Sequence, residues 1–403
     1  MKRAYYIDHN GKAQNESWNC VMEDLALLSL SHMRPFALKR FYLLLVSAMF
    51  LACHAQASQQ VETEYGPLPV FEFHSGFWVN LHHTLYSLAR ERKASTTDKN
   101  GAGNSGTTRL RPSLVSPQNL TAAEQQAWDA AVSFYAENYA DKDPLFNIDL
   151  MLLKNQLGDF EDCDELTGKT RKTCDAGLPG RVAPVLESVA PIFRVHWWPD
   201  QDRADRRWVA RIAPLVLEQG VGVSERLADI YQTKWPKGKI RVEVSAYANS
   251  TGAYTTLDPL RVTISSTDPR NQGSAAFEVL FHEASHGIAQ AVQAAIAREC
   301  RQRNKAIPRD LWHALIFYTT GEVIKPLMAG KDPSPTKKPG GTAPSSPKEG
   351  GGSEESYTPY AIREGLYQRG WNSYLQLLTQ FWQPYLDGKA TFDDAIAHMA
   401  SSL

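Results

Sequence analysis

Residues 277–290 read FEVLFHEASHGIAQ, with His282 and His286 four apart and Glu283 beside the first. Residues four apart on a helix share a face, so both imidazoles can reach one ion. Glu283 is rotated by about 100° from His282 and cannot easily ligate alongside them, but it can approach a water on the same metal. Zn2+ lowers the pKa of such a water to about 7, and a carboxylate can take its proton during attack on a carbonyl. One helical turn would therefore supply two ligands and a general base. The alternative is an ordinary helix that carries two histidines. The flanks favour the metal: Val279, Leu280 and Phe281 precede the motif, and Ala284, Ser285, Gly287 and Ile288 complete a stretch with no other charge.

This stretch resembles the longer zincin signature, with Val279 three positions before the first His and Ile288 two after the second. A catalytic zinc site usually has three protein ligands and one open position. Metzincins place a third His six residues after the second, with a Gly three before it. Here those positions are Val292 and Ala289, which excludes that branch. Gluzincins take a Glu from a following helix, so the resemblance makes Glu322 in HALIFYTTGEVIK the third ligand. Glu322 is the only carboxylate in a mostly apolar stretch, 312–324, and a charge there needs a partner. Gly321 beside it would let helices approach closely. Glu299, Asp310 and Glu364 are weaker candidates. The family usually adds a Tyr or His that stabilises the oxyanion. Tyr318, one turn before Glu322, and Tyr360, beside Tyr357 in YTPYAIREG, are the candidates here. His313 lies nine residues before Glu322, nearly opposite it on a helix, and reads as a core or surface histidine.

These side chains need a scaffold. KIRVEVSAYA (239–248) and LRVTISST (260–267) alternate apolar and polar residues, which predicts two strands joined by a Gly-containing segment. The resemblance implies that the edge strand before the active-site helix, here 260–267, aligns the substrate backbone. Ser274 is the expected cap of the motif helix, and a second long helix is expected over 308–328. Further helices are expected at 74–93, 144–157, 182–193, 203–218, 223–233, 361–385 and 391–402. Thr121 and Glu124 form a capping box for another running toward Tyr139. Thr391 and Asp394 open the last helix. His74, His82 and His83 are assigned to packing and capping, because the adjacent pair points in different directions. The aromatic RVHWWPD (194–200) reads as core or as the lining of a cleft.

The expected fold class is α+β, with a zincin-like core inside a largely helical chain. A helical N-terminal region would occupy 58–180, the catalytic core 181–329 and a helical C-terminal part 357–403. Residues 330–356 are rich in Pro, Gly and Ser and read as a mobile loop, and 95–108 as a polar one.

Composition narrows the class. The 403 residues are 43% apolar and 22% charged with a formal net charge of −1, which gives no electrostatic footprint for nucleic acid. From Met33 the chain runs through Arg34, Lys39 and Arg40 into an apolar run and then Ala55-Gln56-Ala57. That is the pattern of a secretory signal cleaved after Ala57, with Met33 the expected true start and 1–57 an extension plus signal. The run is too short to span a bilayer comfortably. Cys53 also allows a lipid anchor, against which Phe50 argues. Cys163 and Cys174 bracket a polar loop and are either a disulfide or two free thiols; Cys300 has no evident partner.

The expected function is an exported, periplasmic or secreted, zinc metallopeptidase acting on peptide or protein substrates. Rival readings are a metal hydrolase of a non-peptide amide or ester, and an exported binding or scaffold protein.

Overall fold

This computed structural model describes residues 60–61, 63–64, 66–98, 119–166, 178, 181–328 and 357–403. The chain divides into two units, Met1–Ala57 and Ser58–Leu403, and only the second contains described residues. The expected start at Met33, the signal-like run to Ala57, Cys53, Cys174 and the 330–356 stretch lie outside them.

One mixed sheet lies behind the HExxH helix. It comprises β1 (Phe71–His74), β2 (Ile240–Ser245), β3 (Ala253–Leu257) and β4 (Leu260–Ser265) in the order β1-β2-β4-β3. β1, β2 and β4 run parallel, with Val242 opposite Val262, and β3 pairs antiparallel with β4. The two expected strands are therefore β2 and β4. The segment between them forms a third, β3. Parallel strands cannot be joined by a tight hairpin, so the chain must cross the sheet end and return. β3 is the return limb, entered at Gly252 with φ of +89°. A Cβ at Gly252 would meet Asp268 Oδ2 at 2.6 Å, so the approach there requires glycine. This corrects the edge assignment: 260–267 is interior, and the edge strand beside the motif helix is β3.

Register gives the sheet one apolar and one polar face. Phe71, Phe73, Ile240, Val242, Val244, Leu260, Val262, Ile264 and Ala253 share the first face with Thr255 and Leu257. It packs on α5 (Trp198–Ile230) and α6 (Gly273–Ser285), with Phe73 and Trp208 rings 6.1 Å apart and Phe71 and Phe281 rings 5.1 Å apart. The helices expected at 203–218 and 223–233 are one, α5, because buried Trp208, Ile212, Val216, Val223 and Leu227 continue a single stripe through Gly220.

The opposite face carries Glu72, His74, Arg241, Glu243, Ser245, Tyr254, Thr256, Arg261 and Thr263. It is covered by α1 (Phe77–Asp98) and α3 (Ile148–Asp159). Helix α1 runs through 95–98, which sequence reading assigned to a polar loop. Burying so many polar groups requires that they satisfy one another. Arg241 Nε donates to Glu243 Oε1 at 2.6 Å and its Nη2 to Glu161 Oε2 at 2.7 Å. Arg261 pairs with Asp159 and donates to the Asn155 carbonyl at 2.9 Å. Gly158 makes room for this: a Cβ there would stand 2.5 Å from Glu243 Oε1.

Beyond that face lies a second core of α1, α2 (Ala122–Asn138) and α4 (Val182–His196). The Thr121–Glu124 capping box opens α2. Trp197 stacks on Trp128 at 4.1 Å, so the aromatics of 194–200 contribute to core packing. Cys163 is disulfide-bonded, and Cys300 is free and buried. After the motif helix come α7 (Gln290–Gln302) and α8 (Leu311–Ile324). The C-terminal stretch 361–385 breaks into α9 (Tyr360–Arg363), α10 (Asn372–Leu377), a π-helical turn and α11 (Gln383–Leu386). Gly365 and Gly370 adopt φ of +65° and +136° there. Helix α12 (Phe392–Ser402) starts at Thr391, whose side chain accepts from the Asp394 amide. Among the described residues no helix is long and apolar enough to cross a membrane.

Glu243 is fully buried between two arginines that are themselves mostly buried. Glu243→Ala should therefore lower unfolding free energy by about 3 kcal/mol in urea titrations, because it strands buried positive charge. A loss below about 1 kcal/mol would mean that Glu161 and Asp159 neutralise both guanidiniums unaided.

Candidate metal centre

Helix α6 is buried along almost its whole length. Its N-cap is Gln272, while Ser274, expected as the cap, lies inside the helix and is buried. The ladder tightens at the other end. His286 N–H bonds the Glu283 carbonyl at 3.2 Å, and the amides of Gly287 and Ile288 likewise bond three residues back at 3.0 Å. Gly287 permits this turn to sit against β4, since a Cβ would meet Leu260 Cδ2 at 2.6 Å. The two histidines straddle the helix end and still face each other, with ring centroids 5.1 Å apart.

The third partner comes from α8, and it is His313. One nitrogen from each of His282, His286 and His313 lies within 4.8 Å of the others, the one such group among the described residues. His282 Nε2 and His313 Nε2 are 3.3 Å apart. Two imidazole nitrogens held at about 2.0–2.1 Å on one tetrahedral zinc are separated by about that distance. Aromatic rings hold the arrangement. Phe317 stacks on His282 at 3.4 Å, Trp312 lies edge-on to His286 at 5.5 Å, and Trp371 to His313 at 5.4 Å.

This environment decides the protonation state. Burial, reinforced by the neighbouring imidazoles, pushes His282 well below the ordinary histidine range and His286 down to about 3. Burial brings His313 down to about 4. Three neutral rings with available lone pairs are what a metal needs from histidine. His282 Nε2 faces His313 Nε2, so the two ring nitrogens meet lone pair to lone pair unless a proton or a cation lies between them. On the far side of the ring, His282 Nδ1 is buried with no hydrogen-bond partner among the described residues. An all-imidazole donor set suits zinc, so the residues present fit that ion.

Glu283 sits beside the cluster. Its Oε2 is 4.0 Å from His286 Nε2 and accepts a hydrogen bond from Thr255 Oγ1 at 2.7 Å. Burial pushes its carboxyl up to about 7.

Glu322 is not in the group. Its Oε1 lies 4.0 Å from Lys325 Nζ, and the nine residues from His313 carry it two and a half turns round α8. The face turned to α6 bears His313, Phe317 and Gly321, so His313 stands where sequence reading put Glu322. The signal was available: His313, Phe317 and Gly321 are spaced as one stripe, whereas the carboxylate stood out only by its charge. Tyr318 shares the face of Glu322, and its hydroxyl donates to Gln383 Oε1 at 2.7 Å. Among the weaker candidates, Glu299 is held by Arg303 and Glu364 by Arg363. Tyr360 lies nearer the histidines. Its ring is parallel to Phe317 at 6.0 Å, and among the described residues its hydroxyl has no hydrogen-bond partner. His82 and His83 lie in the other core, bonded to Tyr135 and to Ser245 and Tyr254.

A residue that sequence reading passed over fixes Tyr360. Glu278, one turn before His282, accepts the Tyr360 amide at 2.9 Å and the Tyr357 hydroxyl at 2.7 Å through Oε2. Gly321 accommodates Pro359, whose Cβ would be 2.7 Å from an added one.

Comparison with known protein families, curated proteins and solved structures finds no match to this chain.

Glu278→Ala should release the 357–360 turn from α6, costing about 1–3 kcal/mol for its unsatisfied donors. Hydrogen exchange at the Tyr360 amide should accelerate at least tenfold while amides of β2 and β4 keep their protection. Unchanged exchange at Tyr360 would show that packing alone holds the turn.

Proposed function

We propose that this chain is an exported, zinc-dependent hydrolase of peptide bonds with a zincin-like core, in which His282, His286 and His313 hold the metal. The observation that carries this reading is the convergence of three neutral imidazoles with the Glu283 carboxylate 4.0 Å from one of them. The third ligand is then an imidazole where gluzincins use a carboxylate, and the likeness to that family rests on the HExxH helix and its sheet.

When bound, zinc supplies Lewis acidity, lowering the pKa of a water to about 7 and polarising the substrate carbonyl. The chain's residues handle the proton. Glu283 receives it on its carboxylate during attack and delivers it to the departing amine nitrogen. Its position beside the histidines, fixed by the Thr255 hydroxyl, suits this work. The half-buried rings of Trp312, Phe317 and Trp371 shed water around the histidines. Tyr360, with its ring in the aromatic stack and its hydroxyl without a partner among the described residues, is the candidate donor to the oxyanion. Tyr318 is engaged by Gln383.

Export is supported by the signal-like run ending at Ala57 and by the disulfide at Cys163, which fits an oxidising compartment.

Glu283→Gln tests the reading against a scaffold role. The variant should keep about one zinc per chain and lose hydrolysis of a fluorogenic peptide library by at least a hundredfold. Turnover that survives the substitution would remove Glu283 from the chemistry.

A further inference from the structure

The apolar face of the sheet carries one polar side chain, Thr255, and that residue lies on the edge strand directly against the motif helix. Its hydroxyl is within 2.7 Å of Glu283 Oε2 and 2.8 Å of the Glu283 carbonyl. A hydroxyl has one proton to give, and the bond to a carboxylate is the stronger. Among the described residues no other side chain donates to Glu283. The arrangement holds Oε2, the carboxylate oxygen that also lies 4.0 Å from His286 Nε2.

The strand that presents Thr255 is itself clamped. Residues alternate across a strand, so its neighbours Tyr254 and Thr256 point into the opposite, polar face. There the Tyr254 hydroxyl meets His83 Nε2 at 3.0 Å. Thr256 Oγ1 lies 3.2 Å from Asn155 Oδ1 and 3.4 Å from Lys154 Nζ. Tyr254 and Thr256 are both buried. At the strand's start, Gly252 N–H bonds Asn249 Oδ1 at 2.8 Å. β3 is thus fixed from its far side by the helices of the second core, and its one near-side hydroxyl is aimed at the base.

We propose that Thr255 is a positioning residue for the proposed hydrolysis: its hydroxyl fixes the Glu283 carboxylate through Oε2, the oxygen 4.0 Å from His286 Nε2, and so holds the carboxylate beside the histidines where the water would react. This rests on the hydrolase reading above. Thr255 touches neither substrate nor metal and acts through Glu283. Misplacing a catalytic group by about 1 Å can cost about a hundredfold in rate, so a single hydrogen bond can matter here.

Thr255→Val keeps the branched shape and removes the donor; Thr255→Ser restores it. Both are compared with wild type and Glu283→Gln as zinc-loaded full chains, by steady-state hydrolysis of a fluorogenic peptide library and by crystal structures. For Thr255→Val the proposal expects a tenfold to hundredfold fall in kcat with KM and zinc content unchanged, and a Glu283 carboxylate displaced by about 1 Å or more. Thr255→Ser should return kcat to within about threefold and the carboxylate to its place. If Glu283→Gln is inactive while Thr255→Val turns over like wild type with Glu283 unmoved, the positioning role is overturned and the hydrolase reading stands. A wild-type chain inactive on the whole library overturns the hydrolase reading and the positioning role with it; a Glu283→Gln variant as active as wild type removes Glu283 from the chemistry and overturns the positioning role alone.

Discussion

The site depends on the desolvation of three imidazoles. His282, His286 and His313 are packed among aromatic rings deeply enough that protonation is strongly disfavoured in all three. Rings in that state repel no cation, and the facing Nε2 atoms of His282 and His313, 3.3 Å apart, leave a lone pair for one to accept. The same apolar surroundings that make the site expensive to build make a bound cation's charge effective. Much of the nearby architecture maintains this condition. Phe317 covers His282, the 357–360 turn stacks Tyr360 behind Phe317, and Glu278 ties that turn to the helix bearing the first two histidines.

The sheet plays two parts. Its apolar face supports α6, and its polar face is a buried layer of ion pairs and hydrogen bonds against α1 and α3. Polar layers of this kind add little net stability compared with apolar packing, because desolvation offsets attraction. They do specify geometry, since each group has few acceptable partners. Here the specified object is β3, whose alternating side chains reach His83, Lys154 and Asn155 on one side and Glu283 on the other. The N-terminal region thus bears on the site through β3, and through β1, whose Phe71 packs on Phe281 of the motif helix.

The sequence was most legible where one local rule governed. The HExxH spacing joined His282 and His286, the capping box opened α2, and period-two alternation located β2 and β4. It was least legible where a choice lay between two faces of one helix. His313 and Glu322 are nine residues apart on α8, and sequence alone does not say which half of that helix meets α6. The gluzincin pattern favoured the carboxylate, whereas the stripe through Phe317 and Gly321 favoured the histidine. β3 was missed because Ala-Tyr-Thr-Thr-Leu is short and follows a glycine, and only pairing with β4 makes it a strand. The breaks in 361–385 arise from glycines whose positive φ no periodicity reveals.

The most direct test of the account is zinc content by elemental analysis of wild-type protein, His313→Ala and Glu322→Ala, each checked for intact far-ultraviolet circular dichroism. The account predicts about one zinc per chain in wild type, strong loss in His313→Ala and retention in Glu322→Ala. Retention in His313→Ala with loss in Glu322→Ala would restore the carboxylate as third ligand. A folded wild-type protein that takes up no stoichiometric zinc would contradict the metal centre itself.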